Sequence, residues 1–219
     1  MRRSAKMVVL IFCLGVTTPA IQSSLSWAGT QAADQADKSA VSKRAGDFAA
    51  WVTMSGDNHG LPFVIVDKKN VEVLVFYPDG RHRGAAPALL GLARGDESAP
   101  GIGHRKLSRV TAAERTTPAG RFVASLGNDL GKKNVVWVDY DAAISLHRVI
   151  TTNPKENRLL RLATPSILDN RISFGCINVP VKFFDAIVEP SFTGTNGIVY
   201  ILPDMKPIRA IFPASDIDG

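Results

Sequence analysis

The chain has 219 residues, 45% of them apolar and 21% charged, with 26 basic against 20 acidic residues and a formal net charge of +6. Three of the basic residues, Arg2, Arg3 and Lys6, stand in the first 28 positions, which hold no acid, so the remainder carries 23 basic against 20 acidic residues, near +3. A surplus that small excludes a reading as a nucleic-acid binder and suits, without demanding, an anionic cell wall.

In chain order, the basic start is followed by the apolar run Met7 to Val16, too short to cross a bilayer, then by small residues and Ser26-Trp27-Ala28. The pattern predicts a secretory signal peptide over 1–28, cleaved after Ala28, and hence a periplasmic or cell-envelope protein. Cys13 sits in the run behind the bulky Phe12, which argues against lipoprotein processing. No later apolar stretch is long enough to span a membrane. Cleavage leaves Cys176 as the only cysteine. In an oxidising compartment a lone cysteine is buried and inert, bridges to another chain, or works as a nucleophile.

Residues 29–59 read as a polar linker and a short helix, with Ser42 ahead of Ala45, Phe48, Ala49 and Val52 on one face and Gly56-Asp57-Asn58 at its end. From there the period changes. Phe63 to Asp67 and Val71 to Tyr77, joined by Lys68-Lys69-Asn70, predict a hairpin. Residues 84–116 read as an irregular excursion with a short helix around Pro87 to Leu92. Thr117-Pro118-Ala119-Gly120 is a turn into a strand from Arg121 to Ser125, followed by strands over Val135 to Asp139 and Ala143 to Val149. Residues 151–170 are polar and turn-rich. Asn178 is expected to cap a helix over Val179 to Val188, and Ile198 to Leu202 is a final strand. The domain is thus expected to span 60–205, mainly β with one or two short helices, followed by a tail over 206–219.

The chemistry concentrates in Arg171-Ile172-Ser173-Phe174-Gly175-Cys176-Ile177-Asn178. A glycine before the cysteine lets a substrate approach the backbone. A helix starting just after it would favour the thiolate, and the amides of Gly175 and Cys176 would be free to face an oxyanion. Such a nucleophile needs a base. His59, His82 and His104 lie in solvated turns, whereas His147 lies late in a strand, on the face of Ser145 and Val149 and opposite Leu146.

These residues resemble the L,D-transpeptidases, which carry a histidine at the end of a strand, a loop, and then Ser/Thr-His-Gly-Cys followed by an apolar residue and Asn or Arg. Here His147 precedes a loop and Ser173-Phe174-Gly175-Cys176-Ile177-Asn178, and Thr117-Pro118-Ala119-Gly120-Arg121-Phe122 resembles the family's Thr-Pro-x-Gly-x-Phe turn. The resemblance implies a β-sandwich-like, YkuD-type catalytic domain over most of 60–203. It implies that Cys176 attacks the carbonyl before the terminal D-alanine of a peptidoglycan stem peptide, that His147 shuttles the proton, and that a second stem's amine resolves the thioester. It implies no metal or organic cofactor, and carbapenem-type molecules as inhibitors.

Two departures stand out. The family histidine two before the cysteine is Phe174, an apolar wall beside the sulfur that would raise its pKa against the pull of His147. Residues 151–170 look like an insertion covering the cleft. Arg171, Ser173 and Asn178 are the expected substrate-binding residues, with Arg158, Arg161 and Arg171 as candidate partners for a substrate carboxylate. The same residues would serve a cysteine hydrolase, amidase or L,D-carboxypeptidase. The remaining alternative is a non-catalytic envelope-binding module in which Cys176 is only packed.

Overall fold

Strands that are buried at every position have cover on both faces. In the computed structural model, which describes residues 41–217, Phe63–Asp67 (β1) and Gly197–Leu202 (β10) are such strands and lie side by side in parallel, Phe63 opposite Ile198 and Asp67 opposite Leu202. The expected signal peptide and most of the linker lie outside the described residues. The other strands are β2 (Glu72–Phe76), β3 (His82–Pro87), β4 (Leu90–Gly91), β5 (Gly120–Asn128), β6 (Asn134–Asp139), β7 (Ile144–Arg148), β8 (Arg171–Ser173) and β9 (Ile177–Val179). Eight form one sheet in the order β3-β2-β1-β10-β5-β6-β7-β9, while β4 pairs with β8.

β5 changes partner midway. Its first half pairs with β10 as far as Ala124, and from Ser125 onward it pairs with β6. The two halves of the sheet thereby share a core. Val64, Val66, Val73 and Val199 from one half pack in the same cluster as Val136, Leu146, Ile177 and Val179 from the other. This is the mainly β architecture expected from the strand-forming runs, in the sandwich-like form that the resemblance implies. A helical segment closes the core with Phe184, Val188 and Phe192. It runs from Val181–Phe183 (α3) through a π-helical turn at Phe184–Val188 into Glu189–Phe192 (α4).

The outer face of β1, β2 and β10 carries Phe63, Ile65, Leu74 and Tyr200, and it too is covered. The helix Lys43–Ser55 brings Phe48 and Val52 to it, and the short helix Ile208–Ile211 brings Ile208. The first helix, numbered α1, begins where Ser42 Oγ accepts the Ala45 N–H at 3.1 Å and ends on Gly56 in the left-handed conformation. Boundaries at 60 and 205 therefore cut too tightly, because α1 and the C-terminal segment supply one whole layer of the same core.

Two expected elements differ. No helix forms over Pro87 to Leu92. Ala86, Ala88 and Leu90 turn to the core at every second position, and Pro87 ends the edge strand β3, where its missing N–H costs nothing. Nor does Asn178 cap a helix. Ile177–Val179 is strand β9, parallel to β7, and the helix starts only at Val181 behind Pro180. Proline disfavours the helical region for the residue before it, so Val179 is extended.

Behind the sheet lies a buried ionic knot. Lys68 Nζ donates to Asp96 Oδ1 at 2.9 Å, to the Gly95 carbonyl at 2.6 Å and to the Thr117 carbonyl at 2.8 Å. Asp96 also accepts the N–H groups of Asp204, Met205 and Lys206 at 2.6, 2.9 and 2.8 Å. Four stretches distant in sequence thus meet at one ion pair.

Candidate active site

The parallel pairing of β7 with β9 sets His147 opposite Asn178, two residues beyond Cys176. Alternation along β7 does the rest. Leu146 enters the core, while Ser145 and His147 face the other way, toward the sulfur. Cys176 Sγ lies 3.6 Å from Ser145 Oγ and 3.6 Å from the Ala143 carbonyl. Ser145 is a contact to which the sequence assigns no role, although its place on the face of His147 was readable.

His147 Nδ1 lies 2.7 Å from the Arg148 carbonyl. A carbonyl only accepts, so Nδ1 carries the proton and Nε2 is left for the thiol. Burial, the largest single influence on each group, pushes the Cys176 thiol up and the His147 imidazole down. The two groups acting on each other, with Ser145 N–H and hydroxyl assisting the sulfur, reverse both: the thiol falls below its ordinary value and the imidazole rises above its own. With β9 in place of a helix, the low thiol owes this to His147 and Ser145 and nothing to a helix dipole.

The turn that holds Cys176 is braced from three directions. Ser173 Oγ donates to the Cys176 carbonyl at 2.6 Å and accepts the Gly175 N–H at 3.1 Å. The Gly175 amide is therefore spent, and it does not face an oxyanion as the sequence suggested. Asn178 Nδ2 donates to the same Cys176 carbonyl at 3.2 Å, and its Oδ1 accepts from Arg158 Nη1 at 2.8 Å. Thr117 Oγ1 donates to the Gly175 carbonyl at 2.7 Å and accepts the Gly91 N–H at 2.9 Å. Gly175 itself has φ +132, and a Cβ there would fall 2.9 Å from the Thr116 carbonyl oxygen, so no other residue fits. Thr117→Val keeps the shape of the side chain and strands a buried donor and a buried acceptor. It should cost about 1–3 kcal/mol, read as a lower urea midpoint at unchanged m-value.

Above the sulfur opens a cleft of about 320 Å³ that both Cys176 and His147 line. Phe174 forms one wall, with the Arg115 guanidinium stacked on its ring 3.8 Å from the centroid. The 102–110 stretch forms another through Ile102, Arg105, Leu107 and Val110. That stretch shows no periodicity in sequence, and nothing there announced a role at the site. A third wall carries Ile150 and Arg158. Residues 151–170 contain the helix Arg158–Ala163, numbered α2, and meet the cleft through Arg158. Arg161 is engaged within that segment, on the carbonyls of Glu156 at 2.7 Å and Asp169 at 2.6 Å.

Arg171 is not in the cleft. Its guanidinium is buried against Asp204 at 2.7 Å and the Lys68 carbonyl at 2.9 Å, so it holds β8 to the ionic knot and has no edge to offer a substrate there. Ser173 and Asn178 do line the cleft, with their polar atoms engaged in bracing the Cys176 turn. His59, His82 and His104 are exposed. Among the described residues no group of three His, Cys, Asp or Glu side chains stands together as a metal site, and no helix is long and apolar enough to cross a membrane.

No family model matches the chain, and no curated protein matches it. Among solved structures, it is similar to the helical cell shape determining protein Pgp2 from Campylobacter jejuni, with 16% identity, a TM-score of 0.44, and 74% of this chain covering 57% of that one. It is also similar to an L,D-transpeptidase from Xylanimonas cellulosilytica, at 16% identity and TM-score 0.38 over 64% of this chain and 60% of that one. The catalytic domain of an L,D-transpeptidase from E. faecium gives 16% identity and a TM-score of 0.39, over 64% of this chain and 95% of that domain. The chain thus spans little more than half the length of the Pgp2 structure, and its functional reading rests on the Cys176 cleft.

Proposed function

We propose that the chain is a cysteine-dependent L,D-transpeptidase of the cell envelope that acts on peptidoglycan stem peptides through a thioester. The observation that carries this reading is the Cys176–His147 pair: a thiol pulled below its ordinary value in an open cleft, beside an imidazole whose Nδ1 is fixed on the Arg148 carbonyl at 2.7 Å. The resemblance of Ser173 to Asn178 and Thr117 to Phe122 to the family's motifs supplies the substrate.

In this mechanism Cys176 Sγ attacks the carbonyl carbon before the terminal D-alanine, and its proton passes to His147 Nε2. With the Gly175 amide engaged, the N–H of Cys176 is the backbone donor left for the developing oxyanion. His147 then protonates the leaving amine, and D-alanine departs. The thioester is resolved by an acceptor amine whose proton returns to His147. His147 also borders a second cleft of about 480 Å³ lined by Arg148 to Thr152. With water as acceptor the same chemistry would be a carboxypeptidase.

The test is mass spectrometry of the intact protein after incubation with a carbapenem and, separately, with a tetrapeptide stem. Wild type should gain one acyl adduct, and Cys176→Ser none, because a serine here lacks the accessible anion. Cross-linked dimer in the presence of a second stem identifies the transpeptidase, and free tripeptide alone identifies the hydrolase. A full-strength adduct on Cys176→Ser would remove Cys176 as nucleophile.

A further inference from the structure

Two guanidinium-bearing residues from different stretches, Arg105 and Arg158, line the cleft over Cys176, and neither takes part in the bond-making just described. Arg158 comes from α2. Its Nε is held by Glu156 and its Nη1 by Asn178 Oδ1 at 2.8 Å, which fixes the plane of the group while Nη2 stays unengaged. It stands close enough to His147 for its charge to oppose the imidazolium. Arg105 comes from the 102–110 stretch. Its Nη1 pairs with Glu114 at 2.8 Å, while Nε and Nη2 are buried without any partner. A guanidinium edge withdrawn from water and left unpaired is costly. Here that edge belongs to a residue lining the cleft of the reactive sulfur.

We propose that Arg105 and Arg158 form a carboxylate clamp across the Cys176 cleft, and that the acyl donor carries a free carboxylate which the two guanidiniums grip while its carbonyl meets the sulfur. Guanidinium suits this role because its fork matches a carboxylate in two parallel hydrogen bonds. Glu114 holds Nη1 of Arg105 and leaves its Nε–Nη2 edge, closed to water in this conformation, to the ligand. With Glu156 on Nε and Asn178 on Nη1, Arg158 offers Nη2 alone. The clamp rests on the reading of the cleft as a substrate site and deepens it, adding two ionic contacts to a lining that is otherwise largely apolar.

The test compares two thiol reagents of similar size, iodoacetate and iodoacetamide, in each of which the sulfur displaces iodide and forms a thioether. Only iodoacetate has a carboxylate. The quantity read is the ratio of the two alkylation rate constants at Cys176, which cancels any change in the thiolate population. Arg105→Gln and Arg158→Gln should each lower the ratio by about tenfold, the size of one charge-assisted hydrogen bond. Arg105→Lys should fall between, and Arg81→Gln, which alters an exposed ion pair with Asp79, should leave the ratio at the wild-type value. Equal ratios in wild type and both Gln variants would overturn the clamp while leaving Cys176 a nucleophile. Should neither reagent modify Cys176, the enzymatic reading fails, and the clamp is decided by titrating N-acetyl-D-alanine and its amide against the arginine Nε–H resonances. Shifts at Arg105 and Arg158 with the acid alone support it, and identical responses to acid and amide overturn it.

Discussion

Replacing His147 by glutamine should slow acylation of Cys176 by about 10²–10⁴-fold at neutral pH, the range of a lost general base. It should also move the pH profile of thiol alkylation upward. The sign follows from the balance at the sulfur. Burial raises the Cys176 thiol, and the hydrogen bond and charge of His147 are the largest influences pulling it down. Without the imidazole, burial is opposed only by Ser145, and the midpoint should climb past the roughly 8.5 of a free thiol. In the wild type the active form is thiolate with imidazolium. Acylation should therefore rise as pH passes the lowered Cys176 value, and proton donation to the leaving group should fade as pH passes the raised His147 value. A glutamine variant whose alkylation midpoint matches wild type would mean that the two groups do not share a proton.

The ionic knot should give the second large effect, on stability. Removing one member of a buried ion pair costs about 3–5 kcal/mol, which for a domain of this size lowers Tm by on the order of 10 °C. Asp96→Ala should be worse than Lys68→Met. The first strands the Lys68 ammonium together with the amides of Asp204, Met205 and Lys206, whereas the second leaves Asp96 still accepting those three. The knot also has a pH signature. Burial alone would raise the Asp96 carboxyl, but the Asp204 amide, Lys68 and the Lys206 amide overcome it and hold it at about 2, from 3.8. Between those values the unfolded chain binds more protons than the folded one, so stability rises with pH there. The contribution is complete above 3.8 and is lost as pH falls toward 2. Thermal melts of wild type and Asp96→Ala from pH 2 to 6 measure it, and converging melting temperatures at the acid end are the expected result. Lys68 also holds the Thr117 carbonyl, and Thr117 holds the turn before Cys176, so slower thiol alkylation should accompany either loss.

Much of this was legible in the sequence where a periodicity of two or a special residue fixed the outcome. The β-branched runs at 63–67 and 198–202 became central strands because no other element buries both faces of so short a segment. His147 was separable from three other histidines by its place opposite Leu146. The 177–179 stretch misled because Asn178 followed by an apolar run reads as a cap, while the constraint of Pro180 on Val179 is the stronger one. Arg171 was read as a ligand for want of its partner. Asp204 lies 33 residues away, and only the folded chain brings the two together. Arg105 sits in a stretch with no pattern, so only the folded cleft reveals it.

The parallel pairing of β1 with β10 has a consequence for how the molecule is made. Phe63 and Ile198 are neighbours in the sheet but 135 positions apart in the chain. At ribosomal rates of about 5–20 residues per second, the later strand emerges roughly 7–27 s after the earlier one. Until then β1 lacks one of its two flanking strands, and the contacts that would repay the closure of so long a loop do not yet exist. The central pair of the sheet therefore closes only after β10 has been made, and the strands between must wait in partly formed neighbours until then.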